Sequence, residues 1–281
     1  MRYTLKILLI FSLSVFLFSC DYTNEVEPED TDNLNLTTTK SHYKALQNIS
    51  TTFLLVNYYI KSSSLKNDSV SITIDPDDST TYPKTITVDF HDGALCYDGI
   101  TRKGKIILTL TSSWDLNNIE PNTTISVKFD DYYYKSSSDS NFIKQTGNFS
   151  ISFKEFIGSK PVYVVDAIES KLIFNDDEEI YWNSSHTLLW INGFNNMSNL
   201  QDDNWKLTGS SSGTDIEGKT YYTVIQDTLY YSGECNNGEI VKGILKISPE
   251  SSPARTINFG NGECDNSVTV TVGDNNVSLS I

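Results

Sequence analysis

Basic side chains are scarce: 21 Lys and Arg stand against 36 Asp and Glu, a formal net charge of −15. A chain this acidic does not bind nucleic acid by neutralising phosphates. Anionic lipid headgroups repel it too, so any hold on a membrane must come from something other than charge. Methionine numbers 2, histidine 3 and proline 7. So few histidines leave little material for a metal centre or a general base. No His-Glu-x-x-His and no Cys-x-x-Cys occurs, and no Gly-x-Ser-x-Gly nucleophile elbow is expected. The apolar stretch at residues 7–18 is broken by Ser12 and Ser14. It falls short of the roughly 20 residues that a membrane-spanning helix needs.

That stretch has the length of an export-signal core, with Arg2 and Lys6 as its positive flank. Leu17-Phe18-Ser19-Cys20 follows and reads as a lipobox: a small residue, then the thiol that acylation of a new N-terminus requires. Phe18 is bulkier than is usual there. Residues 1–19 are expected to be a lipoprotein signal peptide and Cys20 the lipidation site. Several acyl chains of the palmitate kind are implied, because one chain holds a membrane only marginally. Residues 20–40 read as the lipidated cysteine and an acidic, disordered tether. The expected location is the cell envelope, anchored in the bilayer; the acidic residues just after Cys20 resemble the surface-export signals of some Gram-negative outer-membrane lipoproteins, which implies the outer membrane, with a plain spacer as the alternative.

What the chain has in quantity is Tyr and Phe, at 16 and 13, with many Ser, Thr, Asn and Asp. That mixture suits strands joined by polar turns. From His42, the residues Leu46, Ile49, Phe53, Val56 and Ile60 recur at spacings of three and four, which predicts an amphipathic helix over 41–62 capped by Ser41. Further on, the period becomes two, over 70–74, 85–90, 105–111, 124–129 and 148–153. It returns over 219–229, 239–247, 256–259, 268–272 and 277–281, punctuated by Gly, Asn and Asp turns. The fold class expected is mainly β, with antiparallel, hairpin-built, sandwich-like sheets and one N-terminal helix. An internal echo is present. Cys96-Tyr97-Asp98-Gly99 leads through Lys103-Gly104 into a strand, and Cys235-Asn236-Asn237-Gly238 leads through Lys242-Gly243 into another at the same spacing. Glycine supplies the positive φ of a recurrent tight turn. The echo predicts a duplicated β module, 63–170 and 171–281.

Three segments carry a resemblance. They are Pro83-Lys84-Thr85-Ile86-Thr87-Val88-Asp89-Phe90, then Cys96-Tyr97-Asp98-Gly99-Ile100-Thr101-Arg102-Lys103-Gly104-Lys105-Ile106-Ile107, and the closing Arg255-Thr256-Ile257-Asn258-Phe259-Gly260-Asn261-Gly262-Glu263-Cys264-Asp265-Asn266. In that order they resemble a family of uncharacterised lipoproteins from Gram-negative bacteria. The resemblance implies an exported, β-rich lipoprotein and supplies no activity and no catalytic residue.

Beyond Cys20, three cysteines remain. Cys235 and Cys264 share a proposed module and are the expected disulfide, leaving Cys96 over. Carboxylates cluster at Asp75, Asp77 and Asp78, at Asp130 and Asp131, at 176–179, and at Asp202 and Asp203. Solvated loop charge is the ordinary account. Ca2+ at 75–78 or 176–179 is the sharper one, though neither run matches an EF-hand, and no metal or other cofactor is expected. Trp182, Trp190 and Trp205 form the candidate ligand-binding site, a stacking platform for a sugar, weighed against plain core packing. With no catalytic motif, the expected function is non-catalytic binding of a glycan or an envelope partner by a surface or periplasm-facing lipoprotein. A glycan hydrolase using paired carboxylates and a purely structural envelope protein are the alternatives.

Overall fold

The computed structural model describes residues 35–61, 69–137, 139–174, 178–196, 199–235 and 238–280. One helix, α1 (Thr37–Lys61), precedes fourteen strands among these residues. They are β1 (Ser71–Asp75), β2 (Lys84–Asp89), β3 (Ala94–Leu95), β4 (Thr101–Leu110), β5 (Thr124–Lys135), β6 (Ile143–Ile157), β7 (Lys160–Ile173), β8 (Glu179–Asn192), β9 (Asn204–Thr214), β10 (Thr220–Ser232), β11 (Glu239–Pro249), β12 (Arg255–Asn261), β13 (Ser267–Val272) and β14 (Asn275–Ser280). Each strand pairs antiparallel with the next along one open sheet; β3 pairs off the path with β4. The mainly β, hairpin-built class with an N-terminal helix is what forms. In place of two stacked sheets, one sheet folds its concave face onto α1. Twist accumulates strand by strand, so a sheet this wide coils rather than lying flat.

The helix begins earlier than residue 41 because Asn35 caps it: its Oδ1 accepts the Thr37 N–H at 2.9 Å. Glu217 then holds both Asn35 and the Thr37 hydroxyl. α1 is buried on every side except one stripe, Lys40, Lys44, Gln47, Thr51, Leu54 and Tyr58, at helical spacing. Phe53, at its centre, meets the rings of Tyr163, Trp190 and Trp205 on three successive strands, with centroids 5.4, 5.0 and 6.0 Å away. Buried polar groups on the helix find partners across the interface. Asn48 and Gln145 exchange amide hydrogen bonds at 2.9 and 3.0 Å, and Asn57 accepts the Trp114 indole N–H at 3.1 Å.

The sequence echo is a repeated backbone device. Gly99 N–H donates to the Cys96 carbonyl and Gly238 N–H to the Cys235 carbonyl. Five residues on, Gly104 and Gly243 both have positive φ, each where the register with the next strand shifts. A Cβ at either would lie within 2.0–2.4 Å of a neighbouring backbone oxygen, so these bends require glycine. The two echoed segments lie in one continuous sheet. Residue 170, the expected boundary, lies inside β7 and pairs with Trp182, and Leu34–Ile281 forms one compact unit. The ladder simply runs on through that point.

α1 lies diagonally on the sheet. Its start is tied to the β9–β10 turn and to β12, where the Thr38 hydroxyl donates to Asp215 and Arg255 donates to the Asn35 carbonyl. Its end is tied to the loop after β8, where Lys61 donates to the Phe194 carbonyl. No helix among the described residues is long and apolar enough to cross a membrane.

Candidate functional site

The three tryptophans are not a platform. Trp182, Trp190 and Trp205 are 0, 0 and 1 % exposed. Alternation turns all three inward, and rings of this size fill the space between a coiled sheet and its helix. Trp190 Nε1–H donates to Asp203 at 3.1 Å, and Trp205 stacks on Tyr231 at 3.7 Å. Cys235 and Cys264 are disulfide-bonded, with Cα atoms 5.3 Å apart. Cys96 is a buried free thiol beside the Tyr59 hydroxyl. Glu239 comes close to both bonded sulfurs, but a disulfide offers no thiolate to a metal. Asp78 spends its carboxylate on the N–H groups of Thr80 and Thr81 and on the Thr80 hydroxyl, which holds it well below the usual range. Cys20, Asp176 and Asp177 lie outside the described residues.

The outward stripe of α1 floors a groove of about 710 Å³. One wall comes from Tyr97–Ile100 before β4, the β5–β6 turn around Asp139, and Phe174 after β7. The other comes from Leu200 and Gln201, Tyr231 near the end of β10, Gly233–Cys235 after it, and Gly238–Ile240 at the start of β11. Strand ends from both halves of the sheet thus rise beside the helix, as a coiled sheet dictates. Tyr97 is half-buried and stacks on Tyr58 at 3.5 Å with the rings nearly parallel. Its loop is fixed by Asp98, whose two oxygens take the buried Arg102 guanidinium at 2.6 and 2.5 Å. Arg102 also donates to the Tyr132 hydroxyl at 3.0 Å. Lys44 lies over the Phe174 ring at 4.6 Å. Among the described lining residues Lys44 is the sole cation, facing Asp98, Asp139, Glu234 and Glu239. Glu239 is 6 % exposed and keeps Oε1 without a partner; burial above all, then Asp265, raises its pKa.

Beneath the helix the interior is unexpectedly polar. Thr39 Oγ1, both ring nitrogens of His42, the hydroxyls of Ser170, Ser184, Ser211 and Tyr221, Trp182 Nε1 and His186 Nδ1 are buried without protein partners. Burial pushes His42 down to about 3, with His186 adding to the effect, and pushes His186 down to about 4. At the far end of α1, burial and then Asp202 push Asp203 up to about 7.

Two serine arrangements invite comparison with hydrolases. Ser71 Oγ lies 2.6 Å from His91 Nε2, and His91 Nδ1 lies 3.6 Å from Asp89. Asp89 Oδ1 already accepts the His91 backbone N–H at 2.8 Å, and its other oxygen pairs with Lys105. His91 is half exposed on a turn at the sheet edge. This is turn chemistry on an open surface, without the water-excluding cleft of a catalytic triad. The Gly-x-Ser-x-Gly spacing does occur, at Gly209-Ser210-Ser211-Ser212-Gly213, which sequence reasoning passed over. It lies inside β9 with Ser211 buried and facing in, and not at a strand-to-helix turn. Comparison with protein families, curated proteins and solved structures finds no match for this chain.

Proposed function

We propose that this chain is an envelope lipoprotein, anchored through acylated Cys20, that binds a neutral glycan in the groove over α1 without catalysing a reaction. The observation that carries this is the composition of the groove. Tyrosines, amides and hydroxyls line it, and carboxylates outnumber the one lysine. Amides donate to and accept from sugar hydroxyls, carboxylates accept from them, and aromatic rings offer apolar surface. The negative balance disfavours phosphorylated or carboxylated ligands.

The test is a glycan array probed with the full mature protein, repeated for two variants at exposed groove positions, Gln47→Trp and Gln201→Ala. Neutral glycans should bind, and Gln47→Trp should abolish binding while melting near the parent temperature. Absence of any glycan ligand, or full binding by Gln47→Trp, would refute the assignment.

One observation favours a glycan hydrolase instead: Glu239 is a buried carboxyl in the wall with one oxygen, Oε1, left without a partner and a raised pKa, as a general acid needs. Release of reducing ends from a bound glycan, lost in Glu239→Gln with binding retained, would establish that activity.

A further inference from the structure

The unpartnered polar atoms beneath α1 gather in one place. His42 comes within 5.5 Å of the Tyr221 ring, centroid to centroid, and His186 acts on His42 electrostatically. The ladder sets Ser184 opposite Ser211, His186 opposite Gly209, and Tyr221 opposite Gly213. These positions share the inward face of β8–β10 against the first half of α1. Buried polar atoms forfeit their hydration unless something replaces it, and so many in one patch would outweigh the net stability of an ordinary domain. They therefore have a partner that is not a protein side chain.

We propose that α1 and β7–β10 enclose a hydrated chamber, a cluster of ordered water molecules held by His42, His186, Ser184, Ser211 and Tyr221. The requirement is a ligand that both donates and accepts. An indole N–H only donates, a neutral imidazole does each once, and hydroxyls do either. Water meets all of these at once and is the usual occupant of such sites. A metal ion fits worse. Two imidazoles fall short of the four ligands zinc takes. Asp215, the carboxylate that acts on Tyr221, is already spent on the Thr38 hydroxyl and the Glu217 and Lys219 N–H groups. An anion finds no charge to match it, since both imidazoles are neutral at pH 7.

Two measurements on the full-length protein decide the matter. Water oxygen-17 magnetic relaxation dispersion should detect long-lived internal waters, and Ser211→Val should lower that signal. A high-resolution crystal structure of the parent, which does not depend on the variant folding, should show water within hydrogen-bonding distance of His42 and His186. Direct pairing of these side chains with one another, or absence of long-lived water, would overturn the chamber. So would stoichiometric zinc, copper or nickel by elemental analysis together with an anomalous peak on the imidazoles.

Discussion

Buried imidazoles and a buried carboxyl make opposite demands on pH, and this protein holds both. His42 and His186 have folded pKa values of about 3 and 4, below the unfolded 6.5. Below pH 6.5 the unfolded chain takes up protons that the native rings refuse, so stability falls as pH falls from 6.5 towards 4. Asp203 is raised to about 7 from 3.8. The native carboxyl holds its proton where the unfolded one does not, so its contribution is present in acid and lost as pH rises from about 4 to 7. The two trends oppose each other between pH 4.5 and 6.5, and removing one should expose the other. Asp203→Asn keeps an oxygen for the Trp190 N–H. The variant should be about 1–2 kcal/mol more stable than the parent at pH 8, because a buried amide does not carry the desolvation cost of a buried carboxylate. Its stability should also fall more steeply on acidification, at up to about 1.4 kcal/mol per pH unit for each imidazole. Urea unfolding at pH 8, 6.5, 5.5 and 4.5 measures both. A less stable variant at pH 8 would mean that Asp203 is ionised and paired, with Lys61 the available partner.

Among the elements, α1 is the one the sheet is organised around. Phe53→Ala should cost roughly 3–5 kcal/mol, as deletion of a large buried aromatic does. Trp182→Ala, Trp190→Ala and Trp205→Ala should each cost a similar amount; thermal melts read all four. A Trp variant that melts like the parent would reopen its role at a surface. The helix was legible in the sequence because its apolar face is continuous, and the strands nearer the sheet edges were legible because their inward sets are apolar. The central strands β7–β9 were not. The inward face of β8 reads Trp182, Ser184, His186, Leu188, Trp190, and that of β9 passes through Gly209 and Ser211. A half-polar inward set hides the period of two in β8 and β9, and in β7 a register shift between Ala167 and Ser170 breaks it. The tryptophans looked like a binding cluster because Trp182, Trp190 and Trp205 fall within a short span with Tyr181 beside the first, yet alternation turns all three to the inward face. The groove carried no local signal, because Gln47, Asp98, Asp139, Phe174, Gln201 and Glu239 meet only through the coiling of the whole sheet. The disulfide was legible because it joins two neighbouring turns.

On the scale of the whole molecule, anchoring and binding are separable. Cys20→Ala should abolish acylation and release the protein from membranes, read by fractionation and lipid labelling, because a chain of net charge −15 has no electrostatic hold on anionic lipid. Continued membrane association without label would point to a different anchor. The groove should behave independently of that change and depend instead on the Cys235–Cys264 bond. This bond ties the turn after β10, which forms a groove wall, to the turn after β12, across a separation of 29 residues. A cross-link of that span constrains the unfolded chain by roughly 3–4 kcal/mol. The Cys235→Ser/Cys264→Ser double variant should therefore be less stable by up to that amount. The sheet ladder and the helix contacts stay in place, so the variant should remain folded at 25 °C. Its wall residues Glu234, Gly238 and Glu239 lose their tether, and ordering them on binding then costs affinity. The expected result is a folded double variant that binds the glycan more weakly and releases it faster than the parent. Unchanged affinity in a folded variant would show that the β10–β11 turn holds its shape without the bond, and would move the binding surface to the opposite wall around Tyr97 and Asp139.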